Sequence, residues 1–102
     1  MSDAASARFR IAASHPALAG HFPGYPVVPG VVVLEHVVAA AERALAPGAA
    51  LLAVAQAKFT TPLLPEVEAE VTLARDGDEV RFAVHAGDAT IARGTLAFGL
   101  RP

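Results

Sequence analysis

Gly20-His21-Phe22-Pro23-Gly24-Tyr25-Pro26-Val27-Val28-Pro29-Gly30 runs directly into Val31-Val32-Val33-Leu34-Glu35-His36-Val37-Val38-Ala39-Ala40-Ala41. Ser14 to Gly30 holds four prolines and three glycines in 17 positions, so this stretch is neither regular helix nor central strand. Pro23, Pro26 and Pro29 recur every third residue, each fixing its own φ and biasing the preceding residue away from helix. The result is an ordered, extended loop, suited to holding a side chain in place. The apolar run after the loop reads as one helix from about Val31 to about Ala46, opened by Pro29-Gly30 and stopped by Pro47-Gly48. Only Glu35 and His36 are polar between Val31 and Ala41, so burial on nearly every side is expected. Glu42 lies seven positions after Glu35 on the same stripe, where the helix is expected to emerge.

Outward from this core the hydrophobic period changes from 3.6 to 2. Arg8 to Ala12 alternates as a short strand with Phe9 and Ile11 on one face. Leu51–Thr61, Val67–Arg75, Glu79–Ala86 and Thr90–Leu100 read as four more strands. Pro62 to Pro65 separates the first two, and Asp76-Gly77-Asp78 and Gly87-Asp88 form tight turns between the others. The expected order is strand, structured loop, long helix, then an antiparallel meander of four strands, all within a single domain covering residues 1–102. One helix against one curved antiparallel sheet of about five strands is α+β, in the hotdog arrangement.

Composition narrows the partners. Hydrophobic residues make up 54% of the 102 positions and charged ones 18%, which is apolar for so short a chain. A domain of this size buries only about two-thirds of its unfolded surface, so the excess is expected to be covered by a second copy, edge to edge, or by a lipid-like ligand. The net charge is −2 and the eight basic residues form no run, which argues against nucleic acid and leaves room for two or three cations meeting an acidic protein. With no cysteine, thiol nucleophiles, disulfides and zinc–thiolate sites are excluded. Met1 to Arg8 lacks an apolar signal core and no run is long enough to span a bilayer, so the expected location is cytoplasmic, with no membrane partner.

Three residues carry candidate chemistry. A glutamate on a helix is ordinarily solvated, but Glu35 is flanked by Val31, Val32, Leu34, Val38 and Ala39. A carboxyl desolvated there would hold a proton near neutrality, as a general acid must. His21, fixed in the loop, titrates near neutrality and is the natural base for a carbon acid. Gly30 begins the helix, where the first-turn N–H groups lack internal acceptors and the dipole is positive. A thioester carbonyl placed on that N–H would be polarised. His15, His36 and His85 lie in contexts of surface or core-edge residues, and His36 points about 100° away from Glu35 around the helix. No histidine pair has metal-ligand spacing, and no phosphate loop or dinucleotide fingerprint occurs, so neither metal nor cofactor is expected.

The string from Gly20 to Val31, with Glu35 fourteen residues after His21, resembles the hotdog dehydratases of type II fatty acid synthesis, the FabA/FabZ-type 3-hydroxyacyl carrier-protein dehydratases. Lys58-Phe59 followed by Pro62 and Pro65 is similar to that family's lysine-phenylalanine-x-x-proline strand and turn. The resemblance covers Ser14 to Pro65 closely and the remaining strands in outline. It implies that His21 is the catalytic histidine, that Glu35 is the catalytic acid and that the Gly30 amide holds the thioester carbonyl. It also implies a site at a homodimer interface, histidine and acid coming from different copies, and a substrate carried on an acyl carrier protein. Phe22, Val31 and Leu34 would line an apolar tunnel for the acyl chain. The chain is shorter than typical members; Ala39 stands where glutamine is common, and Pro65-Glu66-Val67 replaces the usual Pro-Gly-Asp. These departures bear on chain length and pathway, with polyketide-like and aryl-polyene routes open beside fatty acid synthesis. The other functions open to this pattern are a hotdog thioesterase, which would release free acid and thiol, and a non-catalytic acyl-binding or carrier-docking module.

Overall fold

The computed structural model describes residues 3–18, 27–45 and 49–100. Residues 19–26 of the expected Ser14–Gly30 loop, with His21 and Phe22, and the expected helix stop at Pro47-Gly48 lie outside the described residues.

Among the described residues the fold has five strands and one long helix: β1 (Asp3–Phe9), α1 (Gly30–Ala44), β2 (Ala49–Phe59), β3 (Ala69–Asp76), β4 (Glu79–Ala86) and β5 (Ala89–Leu100). The strands form one antiparallel sheet in the order β1-β3-β4-β5-β2. Alternation sets its faces. Val71, Leu73, Val80, Phe82, Val84 and Leu96 point to the helix side and are nearly inaccessible, while Arg81, Arg93 and Glu79 are exposed on the other. Burying one such aliphatic side chain contributes about 1.5–3 kcal/mol, so this layer against Val32, Val33 and Val37 of α1 holds the sheet to the helix. The tight turns form as read, with Gly77 (φ 63) and Gly87 (φ 58) in the left-handed region that favours glycine.

Three expectations are corrected. The four-strand meander is a three-strand one: β3, β4 and β5 pair in sequence, but β2 pairs with β5 rather than β3. Pro62 and Pro65 preclude a hairpin, and Leu63 is buried with its carbonyl accepting the Val28 N–H at 2.8 Å. The Glu66 N–H donates to Ile11 O, also at 2.8 Å, so the connection crosses the sheet and delivers β3 beside β1. The first strand is Asp3–Phe9 rather than Arg8–Ala12, because its small residues pair along β3 from Asp3↔Arg75 to Phe9↔Ala69. Arg8 adds ion pairs to Glu68 at 3.5 Å and Glu70 at 3.8 Å.

The third correction concerns α1, which is not buried all round. Val31 is 63% exposed, and Glu35 and Ala39 are exposed with it, one turn apart along a single stripe. That stripe looks toward β2, the edge strand, whose residues 52–59 are exposed on both faces. The hydrophobicity read as burial therefore has no cover among the described residues. At the far end of α1, the Arg75 guanidinium reaches from β3 to donate to the Leu45 carbonyl, one of the helix-end acceptors that need an outside partner.

Among the described residues Glu66 is the one non-glycine residue with positive φ (65), at the position where the resembling family carries glycine. A side chain there costs about 1 kcal/mol, offset in part because its carboxylate accepts the Ala13 N–H at 2.8 Å. Glu66→Ala keeps the unfavourable backbone and loses the bond, so chemical denaturation is expected to show a loss of about 1 kcal/mol. Glu66→Gly loses the same bond but relaxes the backbone, and is expected to fall between wild type and Glu66→Ala.

Candidate active site

The start of α1 is built without a side-chain cap. Pro29 occupies the N-cap in extended conformation (φ −60, ψ 144), and its carbonyl accepts the N–H groups of Val32 at 3.0 Å and Val33 at 3.3 Å. The N–H groups of Gly30 and Val31 are left with no protein acceptor among the described residues. They sit at the positive end of a 15-residue helix, where an oxygen bearing developing negative charge is stabilised.

Gly30 opens onto a cavity of about 330 Å³ walled by Val28, Val33, Phe59, Pro62 and Ile91, with Thr60 and Thr61 at its side. The Phe59 ring closes directly on the glycine: a Cβ built at Gly30 would meet ring carbons at 2.9–3.2 Å. Glycine lets the aromatic ring lie this close to the helix backbone; an added Cβ would have to push the half-exposed Phe59 ring aside. Thr60 ties this wall to β5, its N–H donating to Ile91 O at 2.9 Å and its hydroxyl to Thr90 O at 2.7 Å.

Glu35 lies five residues on, about 7.5 Å along the helix axis. It belongs to a neighbouring groove of about 390 Å³ between α1 and β2, lined by Val31, Leu34, Val38, Leu51 and Val54, with Glu42 at its end. The structure thus brings together Glu35, Val31 and Leu34 of the sequence-derived set and places Gly30 next door in the Phe59 cavity. His21 and Phe22 lie outside the described residues. The desolvation argued for Glu35 from its neighbours is not supplied by a single chain, in which the residue is exposed.

The remaining histidines are occupied elsewhere. His36 stacks on Phe9 (centroids 4.6 Å apart, planes 7° apart), on the side of α1 away from the groove. His15 Nδ1 accepts the Ala17 N–H at 3.0 Å, and His85 Nδ1 lies 3.5 Å from the Thr90 hydroxyl. Sequence reasoning misses Phe59, Thr60 and Ile91 as site residues. Lys58-Phe59 signals the strand, but only the observed packing puts the ring on Gly30. No helix among the described residues is long and apolar enough to cross a membrane.

Comparison with known proteins sets this geometry in a family. Residues 1–95 match the model of the ApeI-like family, described as ApeI dehydratase. The chain is 32% identical over 108 residues to the 3-hydroxyacyl-[acyl-carrier-protein] dehydratase FabZ of Chlamydia trachomatis serovar L2, covering 92% of this chain and 71% of that one. Among solved structures, the dehydratase heterocomplex ApeI:P from Xenorhabdus doucetiae superposes with a TM-score of 0.84 at 24% identity, over 96% of this chain and 93% of its own. The fluoroacetyl-CoA thioesterase FlK superposes at 0.72 with 21% identity, over 96% of this chain and 86% of its own. The chain therefore has the hotdog fold expected from its sequence, a fold that also carries thioesterases.

Proposed function

The chain belongs to the ApeI-like dehydratase family, and from that premise we propose that it removes water from a 3-hydroxyacyl thioester to give a trans-2-enoyl thioester, the acyl group riding on an acyl carrier protein. The Gly30 N–H donates to the thioester oxygen, which makes the C2 proton acidic by stabilising the enolate that its loss leaves. His21 takes that proton. The electron pair closes the C2–C3 double bond as the C3–oxygen bond breaks, and Glu35 protonates the departing oxygen, which leaves as water. The observation that carries this reading is the Gly30 N–H at the head of α1, without an acceptor among the described residues, on a glycine that lines an apolar cavity, with a carboxyl on the same helix in the adjoining groove.

A second copy of the chain completes the proposed site. β2 is an edge strand with apolar side chains in the open, Leu52 being 69% exposed, and an edge of this kind is stable only when paired or covered. Pairing two β2 strands edge to edge would cover Val31, Leu34 and Val54 and take Glu35 out of water, supplying the desolvation that a general acid requires. It would also allow His21 of one protomer to meet Glu35 of its partner.

Product analysis separates dehydration from the thioesterase chemistry known on the same fold. Incubation with a 3-hydroxybutyryl carrier protein is expected to yield an equilibrium mixture of 3-hydroxyacyl and enoyl thioester, read by mass as loss and regain of one water. Free acid with unloaded carrier would instead identify a thioesterase. An unchanged substrate would leave only a binding module.

A further inference from the structure

The groove that holds Glu35 also holds a second carboxyl, which the proposed reaction does not use. Glu42 stands half-buried in the last turn of α1, lining the groove of about 390 Å³ at its end. Between the two carboxyls the lining is apolar, with Val38 and Ala39 coming from α1 and Leu51 from β2. Helix stability does not account for this residue. A carboxylate in the last turn meets the negative end of the helix dipole, where a cation such as the neighbouring Arg43 is favoured.

The geometry sets the direction in which an acyl chain would run. The N–H groups without an acceptor among the described residues are at the head of α1. Phe59 lies on Gly30, so β2 runs back along the helix, and its earlier residues Val54 and Leu51 wall the groove. With the thioester at the head of α1 and C3 beside Glu35, the rest of the chain passes the small side chain of Ala39 toward Glu42.

Seven residues separate the two carboxyls, about 10.5 Å along the axis, which is the reach of roughly eight carbon–carbon bonds in an extended chain. An alkyl chain of about ten to twelve carbons would therefore end at Glu42. A longer one would press methylenes onto the carboxyl and strip its water without supplying a hydrogen bond, which is costly. We infer that Glu42 closes the acyl site at its far end and restricts it to short and medium alkyl chains. The inference rests on the dehydratase reading and adds to it the class of acyl group that the site takes.

The test compares 3-hydroxyhexanoyl, 3-hydroxydecanoyl and 3-hydroxyhexadecanoyl thioesters on one carrier protein. In wild type, kcat/KM is expected to rise from the first to the second as methylenes fill the groove, and to fall about tenfold or more at the third. In Glu42→Leu the longest substrate is expected to recover about tenfold or more relative to the decanoyl one, through KM. Glu42→Gln, which keeps the size and removes the charge, is expected to fall between. A wild type that takes the longest chain as well as the decanoyl one would overturn the inference. So would variants whose kcat/KM changes equally at all three lengths, which marks a structural effect. If wild type turns over none of the three, the dehydratase reading fails on its own, and displacement of bound anilinonaphthalene sulfonate by decanoate and hexadecanoate decides the role of Glu42. A preference that moves toward hexadecanoate in Glu42→Leu supports the inference. The same preference in both chains, or no displacement by either acid, overturns it.

Discussion

Glu35→Gln is expected to lower the turnover of a 3-hydroxyacyl thioester by about 10²–10⁴-fold, the usual contribution of a general acid. The amide keeps the size and hydrogen-bonding reach of the carboxyl but has no proton to give to the leaving hydroxyl. Its effect should fall on kcat with little change in KM, since in the proposed mechanism the thioester oxygen is held by Gly30 and the acyl chain by the apolar walls of the two grooves. Glutamine matches glutamate in size and brings no charge into the proposed interface, so a thermal melt should show near-native folding. His21→Ala is expected to cost a similar factor through loss of the base. A Glu35→Gln chain retaining full activity would remove the carboxyl from the reaction and leave a site built on Gly30 alone.

Gly94→Ala is expected to have the largest effect on stability, a loss of about 3 kcal/mol or more, at the upper end of what overpacking costs. β2 is bulged between Val54 and Gln56 and leans onto β5 there. A Cβ at Gly94 would collide with the Gln56 carbonyl oxygen and come within 2.9 Å of the Ala57 Cα. These are backbone atoms and cannot rotate away. Within one chain β2 is held in the sheet through β5 alone, so the strand must shift, carrying Phe59 off Gly30 and Lys58 away from Arg93. Gly77→Ala is the control: its φ of 63 is unfavourable for alanine, but nothing lies within 4 Å, so only about 1 kcal/mol is expected. Equal midpoints for the two variants in chemical denaturation would mean that the close approach of β2 is not what glycine serves at position 94.

How far the sequence can be read depends on the kind of information each element carries. Glu79–Ala86 is legible to the residue because it alternates cleanly and is bounded by Asp-Gly and Gly-Asp turns. The start of α1 is legible from Pro29-Gly30, within one residue. Strand neighbours are not, because alternation states which face a residue takes but not which strand lies beside it; β2 beyond β5 follows from how Leu63 and Glu66 anchor the connection. β1 is displaced toward the chain start because Ala4, Ala5, Ser6 and Ala7 carry no period of their own and become strand by pairing with β3. The stripe Val31–Glu35–Ala39 misleads for a different reason. A residue covered by its own chain and one left for another copy to cover have the same apolar neighbours in sequence.

That ambiguity bears on the candidate site. Glu35 and Gly30 are legible because a carboxyl in an apolar run and a glycine after proline at a helix start are unusual for packing alone. Phe59 is not, since an aromatic residue at a strand end is ordinary until its ring is seen on Gly30.

In the proposed reaction, base and acid meet across two copies of the chain. Mixing tests this most directly: His21→Ala and Glu35→Gln chains, each inactive alone, are unfolded together, refolded and assayed. If the site is shared between protomers, half of the dimers are mixed and each holds one intact pair, so about one quarter of wild-type activity returns. If the two residues act within one chain, every site in the mixture is broken and the refolded mixture stays as inactive as its parents.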